Sequence, residues 1–242
     1  MIVRLVGSEM CIRDSPWGHR DTVIIVQAER MLELSGITYA PATAGAPILD
    51  GVGFQTQKGR PLLIAGASGS GKTSLLEIIS GLASATSGSI RWNGGTVKRR
   101  QLRWLCGIVF QFPERHFLGL SVAQELRLGH RRLGHEREQS VLERVGLDTI
   151  ASTTAPERLS GGQQRRLALA VQMLRGAEVL LLDEPTAGLD WSVRRDVLGL
   201  LAGLAREQVL IVVTHEPELF QDWECERLRL RSGRLEPMTT LP

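Results

Sequence analysis

Residues 61–65, 179–182 and 209–213 are unbroken apolar runs of strand length, the pattern of strands covered on both faces, and 107–110 has the same character. Between them the period changes to that of a helix. Leu75, Leu76, Ile78 and Ile79 fall at helical spacing within 72–81, and 163–174 and 193–205 repeat the pattern. Strands alternating with helices predict an α/β domain with a mostly parallel sheet core. Ahead of it, 31–59 alternates short β-prone runs (32–34, 37–39, 52–54) with Gly, Pro and Ala turns, which predicts an antiparallel β region. The stretch 122–150 is rich in Leu, Arg and Glu at helical spacing, so a helical subdomain is expected over about 115–175, set apart from the sheet. One domain over 31–236 and a tail at 237–242 complete the expected organisation.

With 242 residues, 43% hydrophobic and 23% charged, the chain is long enough to bury a substantial core and is neither fibrous nor disordered in composition. Its net charge of +3 suits phosphate ligands or an anionic surface without demanding nucleic acid, and no nucleic-acid partner is expected. No apolar run approaches the roughly 20 residues that span a bilayer. Cys11, Cys106 and Cys225 are odd in number and share no C-x-x-C spacing, which argues against a disulfide framework or a zinc site and for a reducing compartment. Charges at Arg4, Glu9, Arg13 and Asp14 interrupt any signal-peptide core. Residues 1–15 resemble translated adapter read-through or a disordered terminus, and nothing functional is expected of them.

The candidate chemistry begins after the first buried run. Gly66-Ala67-Ser68-Gly69-Ser70-Gly71-Lys72-Thr73 is a G-x-x-x-x-G-K-[ST] phosphate loop in the strand-to-helix context it needs, with Ser74 opening the helix beside it. Glycines let backbone N–H groups converge on phosphate oxygens, and the helix adds its positive end. Lys72 is placed to reach the β- and γ-phosphates and Thr73 to offer its hydroxyl to Mg²⁺. Asp183 and Glu184 end a buried strand side by side; Asp183 is the candidate for holding Mg²⁺ and Glu184 for general base.

Leu159-Ser160-Gly161-Gly162-Gln163-Gln164 resembles the ABC signature, and by that resemblance the chain is a P-loop NTPase with an ABC-type nucleotide-binding domain. Ser160, Gly161 and Gly162 precede the helix that Gln163 begins, so the motif makes a second anion site at a helix N-terminus. In the family this loop closes on the γ-phosphate of ATP held by the other subunit. The resemblance also implies a Q-loop role for Gln111 (contact to Mg²⁺ and water), a switch role for His215 (contact to the γ-phosphate) and a D-loop role for Asp190. Tyr39 is the one tyrosine of the chain and stands where the family keeps an aromatic for adenine. Strand packing is its rival use.

Val109-Phe110-Gln111-Phe112-Pro113-Glu114-Arg115-His116-Phe117 is most similar to the energy-coupling-factor ATPases. That resemblance implies ATP and Mg²⁺ as cofactors, and a homodimer or a heterodimer with a paralogue. It also implies an integral membrane transport component, docked through Phe112, Phe117 and Leu118, at the cytoplasmic face of a plasma membrane or its plastid equivalent. Core packing is the rival use of those three side chains. The similarity ends near residue 236, short of an extension some relatives use for dimer contacts. A soluble ABC ATPase without a membrane partner is the competing expectation.

Overall fold

The structure is a computed structural model that describes residues 3–6, 9–12, 30–42 and 45–238. Strands β1 (Val3–Val6) and β2 (Glu9–Ile12) pair with each other alone. The remaining strands form two sheets. One has four antiparallel strands, β3 (Met31–Tyr39), β4 (Leu49–Gln57), β6 (Ser87–Trp92) and the short β7 (Gly95–Thr96), in the order β4-β3-β6-β7. The two runs 32–34 and 37–39 merge into β3, whose register against β4 and β6 shifts near Ser35 and Gly36.

The other sheet has six strands in the order β12-β11-β5-β10-β9-β8. These are β5 (Leu62–Ala65), β8 (Cys106–Val109), β9 (Val179–Asp183), β10 (Val209–Thr214), β11 (Glu226–Arg231) and β12 (Arg234–Pro237). All neighbours are parallel except the terminal hairpin β11-β12. The buried runs alternate cleanly between its faces. Leu62, Ile64, Val179, Leu181, Val209, Ile211 and Val213 join the antiparallel sheet and α1 (Lys72–Ile79) in one core. Leu63, Leu180, Leu182, Leu210 and Val212 meet α5 (Gly161–Arg175) and α6 (Trp191–Ala205) in a second. Burial on both faces explains why the runs 62–65, 179–182 and 209–213 carry no polar positions.

A third core joins α5 to α3 (Val122–Arg127) and α4 (His135–Arg144) around Leu126, Leu142, Leu147, Leu167 and Leu174. The expected helical subdomain is therefore present, but α3 and α4 are short and separated by 128–134. Its long member is α5, which is shared with the sheet core. A further helix, α2 (Arg99–Leu105), has only Leu102 buried and so gives no periodic signal.

Candidate functional site

Strand order decides what meets at the carboxyl edge of the six-stranded sheet. The 66–71 loop leaves β5, His215 follows β10, Asp183 and Glu184 end β9, and Gln111 lies just past β8, so four segments distant in sequence converge on one edge. Register sets their height. Ala65 pairs with Thr214 and Asp183 with Val213. Gly66 N–H donates to the Thr214 carbonyl at 3.1 Å and Glu184 N–H to that of Val213 at 2.9 Å, which carries the alignment one residue beyond the strands.

The edge opens into a cavity of about 700 Å³ lined by Ile48, Ala67, Ser68, Gly69, Gly71, Lys72, Thr73, Ser74, Gln111, Asp183, Glu184 and His215. A second, of about 730 Å³, adds Gly66, Ser70 and residues 229–233 at the end of β11 and in the turn after it. Gly71 takes φ 101°, a left-handed value costly for any side chain, and a Cβ there would stand 3.1 Å from Ile48 and Leu49. A glycine is required here for both reasons.

The polar groups are closely coupled. Lys72, 7% exposed, donates from Nζ to the carbonyls of Gly66 (2.7 Å) and Ala67 (3.0 Å), with Glu184 Oε1 3.4 Å away. Thr73 Oγ1 donates to Asp183 Oδ2 at 2.7 Å, which joins the two groups expected at Mg²⁺ before any ion enters. Burial pushes the Asp183 carboxyl above the usual carboxylate range; the Thr73 hydrogen bond pulls the other way, Glu184 adds to the rise and Lys72 opposes it. Glu184 Oε2 accepts from His215 N–H at 3.1 Å and lies 2.8 Å from His215 Nδ1. Glu184 also holds φ 48°, a left-handed backbone that costs a non-glycine residue about 1–3 kcal/mol and is typical of a functional position. The fit to a polyphosphate with a divalent ion is good. The loop presents a glycine cradle and a buried ammonium, the buried Ser70 Oγ lacks a protein partner, and a hydroxyl and a carboxylate sit together as hard oxygen ligands.

The remaining expected residues are elsewhere. Ser160 caps α5: its hydroxyl accepts from Gln163 N–H at 3.4 Å, and Gln163 Oε1 accepts from Ser160 N–H at 2.8 Å. The adjoining glycines serve different needs. A Cβ on Gly162 would overlap Val193 on α6, so that position is closed by packing, whereas one on exposed Gly161 would meet only Leu189 at 3.6 Å. Asp190 is exposed at the start of α6. None of Ser160, Gly161, Gly162, Gln163 or Asp190 lines either cavity.

Tyr39 does not line them either; it is half-buried against the first core. Its carbonyl accepts from Ile48 N–H at 2.8 Å, and Ile48 is the apolar wall that both cavities share. An apolar residue just before β4 was the available signal for Ile48. Of the three expected docking side chains, Phe112 and Leu118 are exposed, at 43% and 80%. Phe117 is not available: it packs half-buried between the second and third cores. Leu120, two residues past Leu118, is also exposed, at 81%.

A glycine loop, lysine, Thr-Asp pair and strained glutamate at the carboxyl edge of a parallel sheet define a nucleoside-triphosphate-binding domain of the phosphate-loop class. Residues 49–187 match the ABC transporter family, and the chain belongs to it. It is 43% identical over 201 residues to ABC transporter I family member 11, chloroplastic, of Arabidopsis thaliana, covering 76% of this chain and 72% of that one. It is 36% identical over 215 residues to the energy-coupling factor transporter ATP-binding protein EcfA2 of Symbiobacterium thermophilum, covering 84% and 75%. The solved structure of CbiO1 from Clostridium perfringens, described as part of an ABC transporter complex, superposes with a TM-score of 0.75 at 26% identity, covering 86% of this chain and 87% of that one. The chain is thus an ATP-binding ABC ATPase of the energy-coupling-factor kind. Among the described residues no helix is long and apolar enough to cross a membrane.

Proposed function

We propose that this ATPase drives an importer of the energy-coupling-factor type as a peripheral subunit, by closing head-to-tail on a second ATPase protomer around ATP. The observation that supports the reading is the separation, within one chain, of the phosphate loop from the exposed N-terminus of α5. Lys72 and the 66–71 loop would form one anion-binding end, and the N-terminus of α5 at Ser160 and Gly161 the other, outside the cavity. A single copy therefore offers half of two sites.

In this reading Lys72 gives up its loop carbonyls for phosphate oxygens. Thr73 and Asp183 would hold Mg²⁺, whose charge would neutralise that developing on the phosphates. Glu184, oriented by His215 in the cavity that Gln111 also lines, takes the proton of the attacking water. Asp190 crosses to the partner protomer. Closure moves the helical subdomain, and the apolar surface of Phe112, Leu118 and Leu120 passes that motion to an integral membrane component. Membrane-side location follows from that partner.

Affinity capture from detergent-solubilised membranes tests the reading: a multi-spanning protein should be recovered with the wild-type chain and lost with Leu118→Ser/Leu120→Ser. Recovery only of soluble scaffold or nucleic-acid-associated proteins would instead support an ABC ATPase without a membrane partner.

A further inference from the structure

Glu184 and Asp190 stand at the two ends of one turn, and two arginines grip its carbonyls. Arg165 on α5, 6% exposed, donates from Nη2 to the carbonyl of Ala187 at 2.6 Å and to that of Gln111 at 3.1 Å. Arg194 on α6 donates from Nε to the carbonyl of Leu189 at 2.7 Å, and its Nη1 lies 3.3 Å from the carboxylate of Glu216, the residue after His215. We propose that Arg165 and Arg194 are positioning residues, a brace that fixes the 185–190 turn against Gln111 on one side and the His215 segment on the other. Displacement of Asp190 by a second protomer then reaches Gln111 and His215 together. The inference rests on the proposed two-protomer reading and names the parts within one chain that carry its signal.

The chemistry favours a tie over simple packing. Burial draws the Arg165 guanidinium below its ordinary pKa, with Glu114 opposing and Arg194 adding to the fall, and its buried Nε has no hydrogen-bond partner. A buried cation with an unmet donor is a poor way to fill space, since apolar residues of similar volume are commonly neutral or stabilising in its stead. What an apolar residue could not do is hold two carbonyls from separate loops at fixed spacing. Glu114 lies in the exposed segment beyond Gln111, so charge near Arg165 also comes from the surface proposed to meet the membrane component.

Arg165→Met, Arg194→Gln, Glu216→Gln and Arg194→Lys in the full chain test the brace. The first three should lower kcat for ATP about 10- to 100-fold, the scale of an ångström-sized misplacement. MgATP Kd should stay within about twofold, because no residue proposed to touch phosphate is altered. Arg194→Gln/Glu216→Gln should be no slower than the slower single variant, since both remove one contact. Arg194→Lys, which keeps the charge facing Glu216, should recover most of the turnover lost in Arg194→Gln. Hydrogen exchange without nucleotide should quicken at Ala187 and Leu189, whose amides donate to Glu184 and Thr186 carbonyls. Unchanged turnover, turnover falling in step with MgATP affinity, additive losses in the double variant, or unaltered exchange in folded Arg165→Met and Arg194→Gln would each overturn the brace. A wild-type chain that fails to dimerise with ATP would instead remove the two-protomer reading, and the exchange result, which needs no nucleotide, would still decide whether the turn is braced.

Discussion

The two proposed anion-binding ends of the chain are built in opposite ways. At the carboxyl edge of the sheet the polar groups are buried and coupled: Lys72, Asp183 and Glu184 are each under 10% exposed and bond to one another or to the loop. At α5, Ser160 and Gly161 are exposed, and the side-chain ties of the cap are local, between Ser160 and Gln163. The first end is preorganised to bind and react; the second is a surface that needs a ligand brought to it. Under the proposed two-protomer reading, chemistry and recognition are thereby kept on separate elements, as a protein that opens between cycles would require.

Substitutions at the buried end should have the larger effects. Glu184→Gln keeps the size and most contacts of the side chain but cannot accept a proton, so ATP turnover should fall about 10²- to 10⁴-fold while ATP binding persists; single-turnover kinetics would show it. Near-normal turnover would remove Glu184 from the role of base. Lys72→Ala should instead weaken nucleotide binding by about 1.5–3 kcal/mol, the usual worth of a charged hydrogen bond, as read by calorimetry. Unchanged affinity would discredit the phosphate loop.

Asp183→Asn sharpens the contrast through stability. The carboxyl is raised in the folded state, so the folded chain holds its proton to higher pH than the unfolded chain does. Stability of the nucleotide-free protein must therefore fall as pH rises from the ordinary aspartate range through the raised value. The Asn variant should flatten that slope and be about 0.5–2 kcal/mol more stable above it, because its amide oxygen can still accept from Thr73. Thermal melts across pH would measure both. A variant less stable than wild type at neutral pH would show that the charge is well compensated. At the exposed surface, Leu120→Ser should change stability by no more than about 0.5 kcal/mol, since denaturant unfolding reports burial and Leu120 has little.

The same contrast explains what the sequence made legible. The phosphate loop, the Asp183-Glu184 pair and the α5 cap are each contiguous in sequence, so the loop could be read from its spacing, the pair from the buried strand it ends and the cap from its resemblance to a family motif. The buried runs 179–182 and 209–213 could be read because both faces are covered. By contrast, α2 buries one residue and β12 has no fully buried position, so neither carries a period. Tyr39 and Phe117 show the limit for single aromatics: composition cannot tell a ring that packs from one that faces a ligand or partner. Arg165 reaches backbone carbonyls 22 and 54 residues away, and Arg194 pairs with the Glu216 carboxylate across 22, and such partners leave no trace in local pattern.

Gly161 gives the most direct test of whether the exposed end completes the buried one in another copy. Gly161→Asp fits its surroundings, since a Cβ there meets only Leu189 at 3.6 Å, yet it places a carboxylate where the partner's γ-phosphate would arrive. Sedimentation velocity of Glu184→Gln with MgATP should show a dimer, and adding Gly161→Asp should return it to monomers that bind ATP with unchanged affinity. A dimer that survives Gly161→Asp, or a Glu184→Gln chain that binds ATP and stays monomeric, would contradict the shared site.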